Sequence, residues 1–522
     1  MKREEQLSRI QDRNIIWDFI VIGGGATGLG CAVDAASRGY QVVMLEQDDF
    51  AKCTSSKSTK LVHGGVRYLQ KGDVMLVFEA LHERGRMRAN APHLVKNQSF
   101  IIANYTWWDN FLYFCGLTFY DMLSWGFGYG HSKFIRKKTV LQRLPAIKQE
   151  GLKGGIVYHD GQFDDARMSV NLAETCIDQG GVAINHMKVV DILHNAQGKI
   201  CGVRALDNET GDTYDLQTKA VINAAGIFVD EVMKLDLSGH KPMVKPSQGA
   251  HLVLDMKFLQ GNDALMVPKT SDGRVLFAVP WHNRVVVGTT DVLRDYPESE
   301  PCALEEEIDF ILETAGIYMV PAPTRKDILG VFAGQRPLAA PKKEGKSAKE
   351  ISRSHKIIVS DNDLITITGG KWTSYRLMAE DTIDKAISMK LVDKRKCVTK
   401  HLKIHGWRPE PDLSNHYYIY GSEEPALHQV EQENVKYQER ISPKYDYTFG
   451  EVVWAVRHEM ARTLDDVLAR RVRLLYIDAR EALRVAPEVA KVMATELGMS
   501  ELWIDEQVAF FSSIAKNYIV DE

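Results

Sequence analysis

Residues 60–72 read KLVHGGVRYLQKG, a histidine before two glycines with an arginine and a tyrosine just beyond. Two readings compete. Gly64 and Gly65 can form an ordinary turn, because glycine enters positive φ freely, with His63 and Arg67 left in solvent. In the other, the glycines let backbone approach a large ligand while His63, Arg67 and Tyr68 face its reactive end. That reading needs a large ligand, and the N-terminal region offers a site for one. Gly23-Gly24-Gly25-Ala26-Thr27-Gly28 fits GxGxxG, a pattern that carries weight only between a strand and a helix.

The flanking residues meet that condition. Asp18 to Ile22 is a short apolar run that reads as a buried parallel strand. Thr27 to Arg38 has a helical pattern, with Gly39 placed to end it, and Gln41 to Leu45 is a second β run closed by Glu46. Gly23 permits the tight turn, Gly25 lets backbone N–H groups approach a pyrophosphate, and Gly28 lets helix and strand pack closely. The helix N-terminus adds partial positive charge at the phosphates. Glu46, 18 residues after Gly28, can accept both hydroxyls of an adenosine ribose and disfavours a 2′-phosphate. The other Gly-rich stretch, GFGYGHS at 126–132, follows no strand and reads as a loop. A single dinucleotide site points to bound FAD, with the substrate itself supplying the hydride.

Length and composition narrow the class. A chain of 522 residues, 45% hydrophobic and 26% charged, is expected to form two or three soluble domains. A net charge of -4 lacks the basic field of a nucleic-acid binder. Seven cysteines are scattered without a CxxC, which fits a reducing compartment and neither a disulfide framework nor a thiolate metal site. His159 and His282 stand isolated, and no metal is expected. The polar N-terminus shows no secretory signal. FLYFCGLTFY at 111–120 is far too short to span a bilayer. It lies in an aromatic segment, 105–129, that runs into Lys133, Arg136, Lys137 and Lys138. Such a segment suits a membrane interface, or equally a helical hairpin packed on its own domain.

Several further pieces share one pattern: MLEQDDFAKCTSSKSTKLVHGGVRYL, DGQFDDARM, INAAGIFVD, VPWHNRVVVGTTD, VFAGQRPL and ITGGKWTSYR. With IVIGGGATGLG they make the chain resemble the FAD-dependent glycerol-3-phosphate dehydrogenases, respiratory enzymes that pass electrons to quinone, from about residue 16 to the C-terminus. The aromatic segment and residues 1–15 follow that pattern less closely. The resemblance implies an α/β protein: a Rossmann-type FAD-binding domain (1–72, 150–240 and 345–390), an antiparallel-sheet substrate domain (73–149 and 241–344) of the glutathione reductase/D-amino acid oxidase kind, and a C-terminal helical cap (391–522). It implies oxidation of glycerol 3-phosphate to dihydroxyacetone phosphate, a membrane quinone as acceptor, and a cytoplasmic location against the inner face of the membrane. It leaves a homodimer open. Glycerol-3-phosphate oxidases tend to carry an insertion that is not evident here. An amino- or hydroxy-acid oxidase on the same fold needs only one arginine, for a carboxylate.

The same resemblance assigns residues. The cofactor is held by Gly23, Gly25, Ala26, Thr27, Gly28 and Glu46, by Thr54, Ser55, Ser58 and Lys60, and by His63, Gly64 and Gly65 against the ring system. Val189, Ala224 and Gly226 follow near the adenosine half, then Gly334, Arg336, Gly370, Lys371, Trp372 and Thr373. Arg67, Tyr68, Arg336, Arg353 and Lys371 bind substrate, a guanidinium gripping phosphate bidentately. His251, opening HLVLD, is the favoured proton acceptor, with His63 its rival; either imidazole titrates near neutrality. Arg336 and Lys371 act beside them. Asp164 and Asp165 are read as positioning a loop or capping a helix that begins near Arg167. Strands are expected at 182–191, 201–205 and 219–223, a hairpin about Trp281-His282-Asn283, and a helical insert over 73–149. EVVWAVRHEMARTLDDVLARRVRLLYI is read as a helix with a 3.6-residue apolar stripe.

Overall fold

The computed structural model describes residues 1–69, 72–339 and 355–521. Its first sheet grows from the glycine motif. Strand Ile16–Ile22 pairs in parallel with Val42–Leu45 on one side and Thr213–Asn223 on the other. Val182–Ile184 and Ile365–Thr368 extend the parallel order outward. A parallel sheet is covered on both faces and therefore reads as a continuous apolar run. Here Phe19 and Val21 pack with Leu29 and Ile383 on one face, and Ile20 and Ile22 with Val203 and Ile10 on the other. Ile10 comes from a helix, Arg3–Gln11, within the stretch that departs from the resemblance.

The second sheet is largely antiparallel and ten-stranded among the described residues. Its long pair, Val244–Asp255 with Ile328–Ala339, sets His251 opposite Phe332 and Ser247 opposite Arg336. Leu276–Trp281 and Arg284–Gly288 form the expected hairpin, with Trp281 opposite Arg284. His282 and Asn283 both take positive φ, as a two-residue turn matched to strand twist requires.

Three expectations about organisation need correction. Gly154–Phe163 pairs along its whole length with Val95–Asn104 in the second sheet, so the return to the cofactor domain falls near Asp164 rather than residue 150. That pairing also puts a ten-residue strand inside the insert read as helical, because the apolar run Phe100–Ala103 is too short to tell a strand buried on both faces from a buried helix. The C-terminal run is not one helix. Phe449–His458 is followed by a π-helical turn at Asp466–Arg471, a single turn at Leu474–Ile477 and the helix Ala479–Leu497. The charged residues that looked like its solvent face are buried: Arg470 and Arg471 close on Asp49 at 2.6 and 2.8 Å, and Arg473 on Asp165 at 2.9 Å. Burying three guanidiniums breaks the helix because each must reach a carboxylate of the cofactor domain, Asp49 in the loop after Val42–Leu45 or Asp165 at the start of helix Asp165–Asp178. The C-terminal region is thus no detached cap. Ile404, Ile419 and Tyr420 share the core of the first sheet, and Leu468 and Tyr476 pack with Val253, Trp281 and Phe332 of the second.

Candidate active site

The turn after Ile22 is tight enough to exclude side chains. A Cβ on Gly23, at φ +109°, would sit 2.8 Å from the Ala224 carbonyl oxygen, and one on Gly28 only 1.8 Å from that of Gly23. Gly28 therefore seats helix Ala26–Ser37 on the strand, and Gly25, as N-cap, leaves the first-turn amides without a side-chain cap. The Ala26 amide donates to Ser55 Oγ at 2.9 Å. Glu46 accepts from the Gly24 amide at 2.6 Å and the Asp48 amide at 2.9 Å; burial pushes its carboxyl up to about 7.

From this turn a cavity of about 1220 Å³ runs to the second sheet. Its volume exceeds that of drug-sized pockets, leaving room for a dinucleotide and a small substrate end to end. Gly23, Gly25, Ala26, Thr27, Glu46, Val189, Ala224 and Gly226 line one end. Thr54, Ser55, Ser58, His63, Gly65, Gly334, Gly370, Trp372 and Thr373 line the middle. His251 and Arg336, both on strands of the second sheet, line the far end, and Lys371 also lines the cavity. The strips around it are stitched together: Thr54 Oγ1 donates to the Gln335 carbonyl at 2.6 Å, Trp372 Nε1 to that of Ser55 at 2.9 Å, and the His63 amide to Thr373 Oγ1 at 3.3 Å. Glycine at 369 and 370 is required by φ of +78° and +79°; a Cβ on Gly370 would also strike Met378 Sδ at 2.4 Å. These two turns deliver Lys371 as N-cap of Trp372–Ser374, ahead of Tyr375–Ser388.

Other assigned residues lie elsewhere. Gly28 is beneath the turn. Gly64 packs on the other side of its strand, where its amide donates to Tyr120 Oη at 2.8 Å and a Cβ would meet Leu81 and Tyr120 at 2.6 Å. The close approach in HGG toward the cavity thus belongs to Gly65, at φ +77°. Lys60 is buried behind the site, 2.8 Å from Asp165 and 5.0–5.2 Å from the ring centres of Trp281, Phe332 and Tyr476. Burial lowers its ammonium to about 8. Arg67 and Tyr68 fall in the short helix Val66–Leu69, and Arg353 lies outside the described residues. Asp164 caps Asp165–Asp178, accepting from the Arg167 amide at 3.0 Å.

Around the far end the chemistry is specific. His251 is buried, stacked on Phe332 with ring centres 4.8 Å apart, and its Nε2 lies 2.9 Å from Thr59 Oγ1. Burial holds its imidazole well below the usual range, and the positive charges of Lys60 and Arg336 act in the same direction. It is therefore neutral at pH 7 and able to take a proton. Arg336 reaches Thr289 Oγ1 at 3.2 Å, with Asp291 at 3.7 Å. Gly249 leaves it room, since a Cβ there would sit 2.5 Å from Nη2. Sequence reasoning missed Thr59, Gly249, Thr289 and Asp291. The GTTD that ends an alternating strand was the available signal, and it lies across the sheet from GQRPL only because of strand register.

A glycine-turned parallel sheet joined through one cavity to an antiparallel sheet defines a flavin-dependent oxidoreductase, and residues 18–376 match the FAD dependent oxidoreductase family. Residues 365–503 match the C-terminal domain of alpha-glycerophosphate oxidase. The mitochondrial glycerol-3-phosphate dehydrogenase of Schizosaccharomyces pombe is 35% identical over 99% of this chain and 89% of its own, and that of Mus musculus 37% over 97% and 74%. A solved glycerol-3-phosphate dehydrogenase from Bacillus halodurans, complexed with FAD, superposes with a TM-score of 0.81 at 28% identity, covering 99% of this chain and 98% of that one. An L-alpha-glycerophosphate oxidase from Mycoplasma pneumoniae shares the fold at 17% identity, with a TM-score of 0.56 over 74% of this chain and 98% of that one. The chain belongs to the FAD-dependent glycerol-3-phosphate dehydrogenase family. FAD fits the residues present: the N-terminus of helix Ala26–Ser37 would take the pyrophosphate, Glu46 the ribose, and the loops at 63–65 and 369–373 the ring system.

Proposed function

We propose that the protein oxidises sn-glycerol 3-phosphate at C2 to dihydroxyacetone phosphate and passes the electrons to a membrane quinone. The observation that carries this is one cavity holding both the dinucleotide turn and, at its other end, a cation beside a neutral buried histidine. Bound FAD supplies the acceptor for the hydride that leaves C2. Arg336 binds the phosphate and orients the alcohol, with Lys371 adding positive charge in the same cavity. His251 takes the hydroxyl proton as the carbonyl forms, and Thr59 fixes its ring. Phe332 and the second sheet keep water from the imidazole. Lys60, which lies behind the ring, helps keep it unprotonated. An acid oxidase would need one cation and no second.

The quinone acceptor and attachment to the inner face of the cytoplasmic membrane are supported by the helix Trp107–Leu123. Asn110, Leu117 and Tyr120 face inward, whereas Trp107, Trp108, Phe111, Leu112 and Met122 are exposed. Trp125, next to the helix end, is 86% exposed, and Lys133, Arg136, Lys137 and Lys138 follow. Packing on its own domain accounts for the inner face and leaves the outer one uncovered, as an interfacial helix requires. Among the described residues no helix is long and apolar enough to cross a membrane.

The test is anaerobic mixing of the FAD-loaded protein with glycerol 3-phosphate, followed at 450 nm. Rapid bleaching, absent with glycerol or lactate and abolished in Arg336→Ala, is expected; an unchanged spectrum would refute the substrate assignment. Reoxidation faster with a ubiquinone analogue than with oxygen is expected, and the reverse order would make the protein an oxidase.

A further inference from the structure

Away from the cavity, three side chains far apart in sequence converge. Glu174 on helix Asp165–Asp178, His405, and Glu423 at the end of the turn His416–Glu423 bring one ligand atom each within 4.8 Å of one another. His405 Nε2 lies 2.9 Å from a Glu423 oxygen and 3.9 Å from a Glu174 oxygen. Ligands about 2.0–2.1 Å from a tetrahedral zinc ion are separated by roughly 3.3 Å, and these two distances bracket that value. The other ring nitrogen, Nδ1, lies 2.7 Å from Asp178 Oδ2, the carboxylate–histidine pairing that orients metal-binding imidazoles.

Two further observations point to a ligand. Glu174 is 4% exposed and its carboxylate accepts no hydrogen bond among the described residues; His405 lies 3.9 Å away, and Glu423, Glu459 and the N-terminal ammonium also act on it. A buried carboxylate without a partner is costly. The backbone of His405 is pinned to the same helix: its amide donates to Thr175 Oγ1 at 2.9 Å, and its carbonyl accepts from Asn171 Nδ2 at 2.8 Å. The backbone that carries the imidazole is thus fixed by groups other than the carboxylates the ring faces.

We propose that Glu174, His405 and Glu423 form a zinc(II) site that fastens the C-terminal region to the cofactor domain. One nitrogen and two carboxylate oxygens suit zinc and leave a fourth position for water. None of the three lines the redox cavity, so the ion is structural. The expectation of no metal rested on the isolation of His159 and His282, the scattered cysteines and the absence of an HxxxH. HLKIH at 401–405 is an HxxxH that it passed over, and its second histidine finds its carboxylates at positions 174 and 423.

The rival occupant of His405 is a proton, since carboxylates around one imidazole also favour imidazolium. The FAD-loaded full chain, stripped with chelator, is titrated with zinc chloride against a chromophoric competitor, and its unfolding midpoint is followed with and without the ion. We expect one zinc per chain and a raised midpoint. Both should be lost in His405→Gln, and affinity should fall at least tenfold in Glu423→Gln. Flavin absorbance reports whether each variant is folded; Glu423 is partly exposed, so its variant serves if the other does not fold. No uptake at 10-fold excess zinc overturns the proposal and leaves His405 as an imidazolium. Uptake unchanged in Glu423→Gln overturns it too.

Discussion

Replacing Gly28 with alanine adds one methyl group, and its effect can be worked from the turn itself. The new Cβ would lie 1.8 Å from the Gly23 carbonyl oxygen, 3.0 Å from its carbon and 3.4 Å from Ala224 Cβ. The first two are backbone atoms, so no side chain can swing away. Restoring an ordinary carbon–oxygen contact of about 3.2 Å means parting strand and helix by more than 1 Å, an overpacking cost of about 1–3 kcal/mol. The displaced element is the one whose first-turn amides face the cofactor phosphates. A 2.9 Å hydrogen bond lengthened by 1 Å is no longer a hydrogen bond, and each one made to a charged group is worth about 1.5–3 kcal/mol. Losing one such bond with the packing strain gives about 2.5–6 kcal/mol, roughly 10²–10⁴ in FAD affinity. The assay is FAD occupancy at purification, then rebinding to apoprotein followed by flavin fluorescence. Gly211→Ala is the control. It lies outside the cavity lining at φ +79°, and nothing lies within 4 Å of its Cβ. It should lose only the roughly 1–2 kcal/mol of a left-handed alanine. If Gly28→Ala retains FAD as well as Gly211→Ala, the packing argument is wrong.

Three other outcomes are expected. Arg336→Lys keeps the charge but not the fork, so kcat/KM for glycerol 3-phosphate should fall by about 10–100-fold and by more in Arg336→Ala; equal losses would mean that bidentate binding is not used. Because the folded-state pKa of His251 is depressed, the stability it contributes is full above 6.5 and falls as pH drops from there toward the lower folded value, where the neutral form itself is lost. The acid limb of kcat/KM should therefore lie below pH 6.5, and a limb at pH 7 or above would count against His251 as the base. Asp49→Asn leaves Arg470 and Arg471 buried against a neutral amide, which should destabilise by about 3–5 kcal/mol; an unchanged urea midpoint would show that the pair is dispensable.

What could be read from the chain was local. The glycine turn at 23–28, the capping Asp164 and the hairpin at His282-Asn283 each depend on backbone geometry within a few residues, and residue type reports that geometry directly. Sheet membership depends on partners elsewhere. Gly154–Phe163 joins the second sheet because Val95–Asn104 lies beside it, and nothing within either segment names the other. Burial misled in the C-terminal run, where charge ordinarily marks solvent. Arg470, Arg471 and Arg473 are each 1% exposed because Asp49 and Asp165 meet them. The site divided in the same way. GGGATG and GGKWTSYR carried their own turns, whereas the Gly249–Arg336 fit exists only across a strand pair.

The cofactor cavity has a consequence for synthesis of the chain. Its adenosine end begins with residues 23–46 and is completed by Val189, Ala224 and Gly226, but the strand Ile365–Thr368 and the loop carrying Lys371 arrive more than three hundred residues after the glycine turn. At roughly 5–20 residues per second, a ribosome needs on the order of 15 to 65 s to cover that distance. During that interval the nascent chain displays the glycine turn with no floor beneath the flavin. Productive capture of FAD must therefore wait until translation is nearly complete, and a cell short of FAD would accumulate full-length apoprotein rather than stalled fragments.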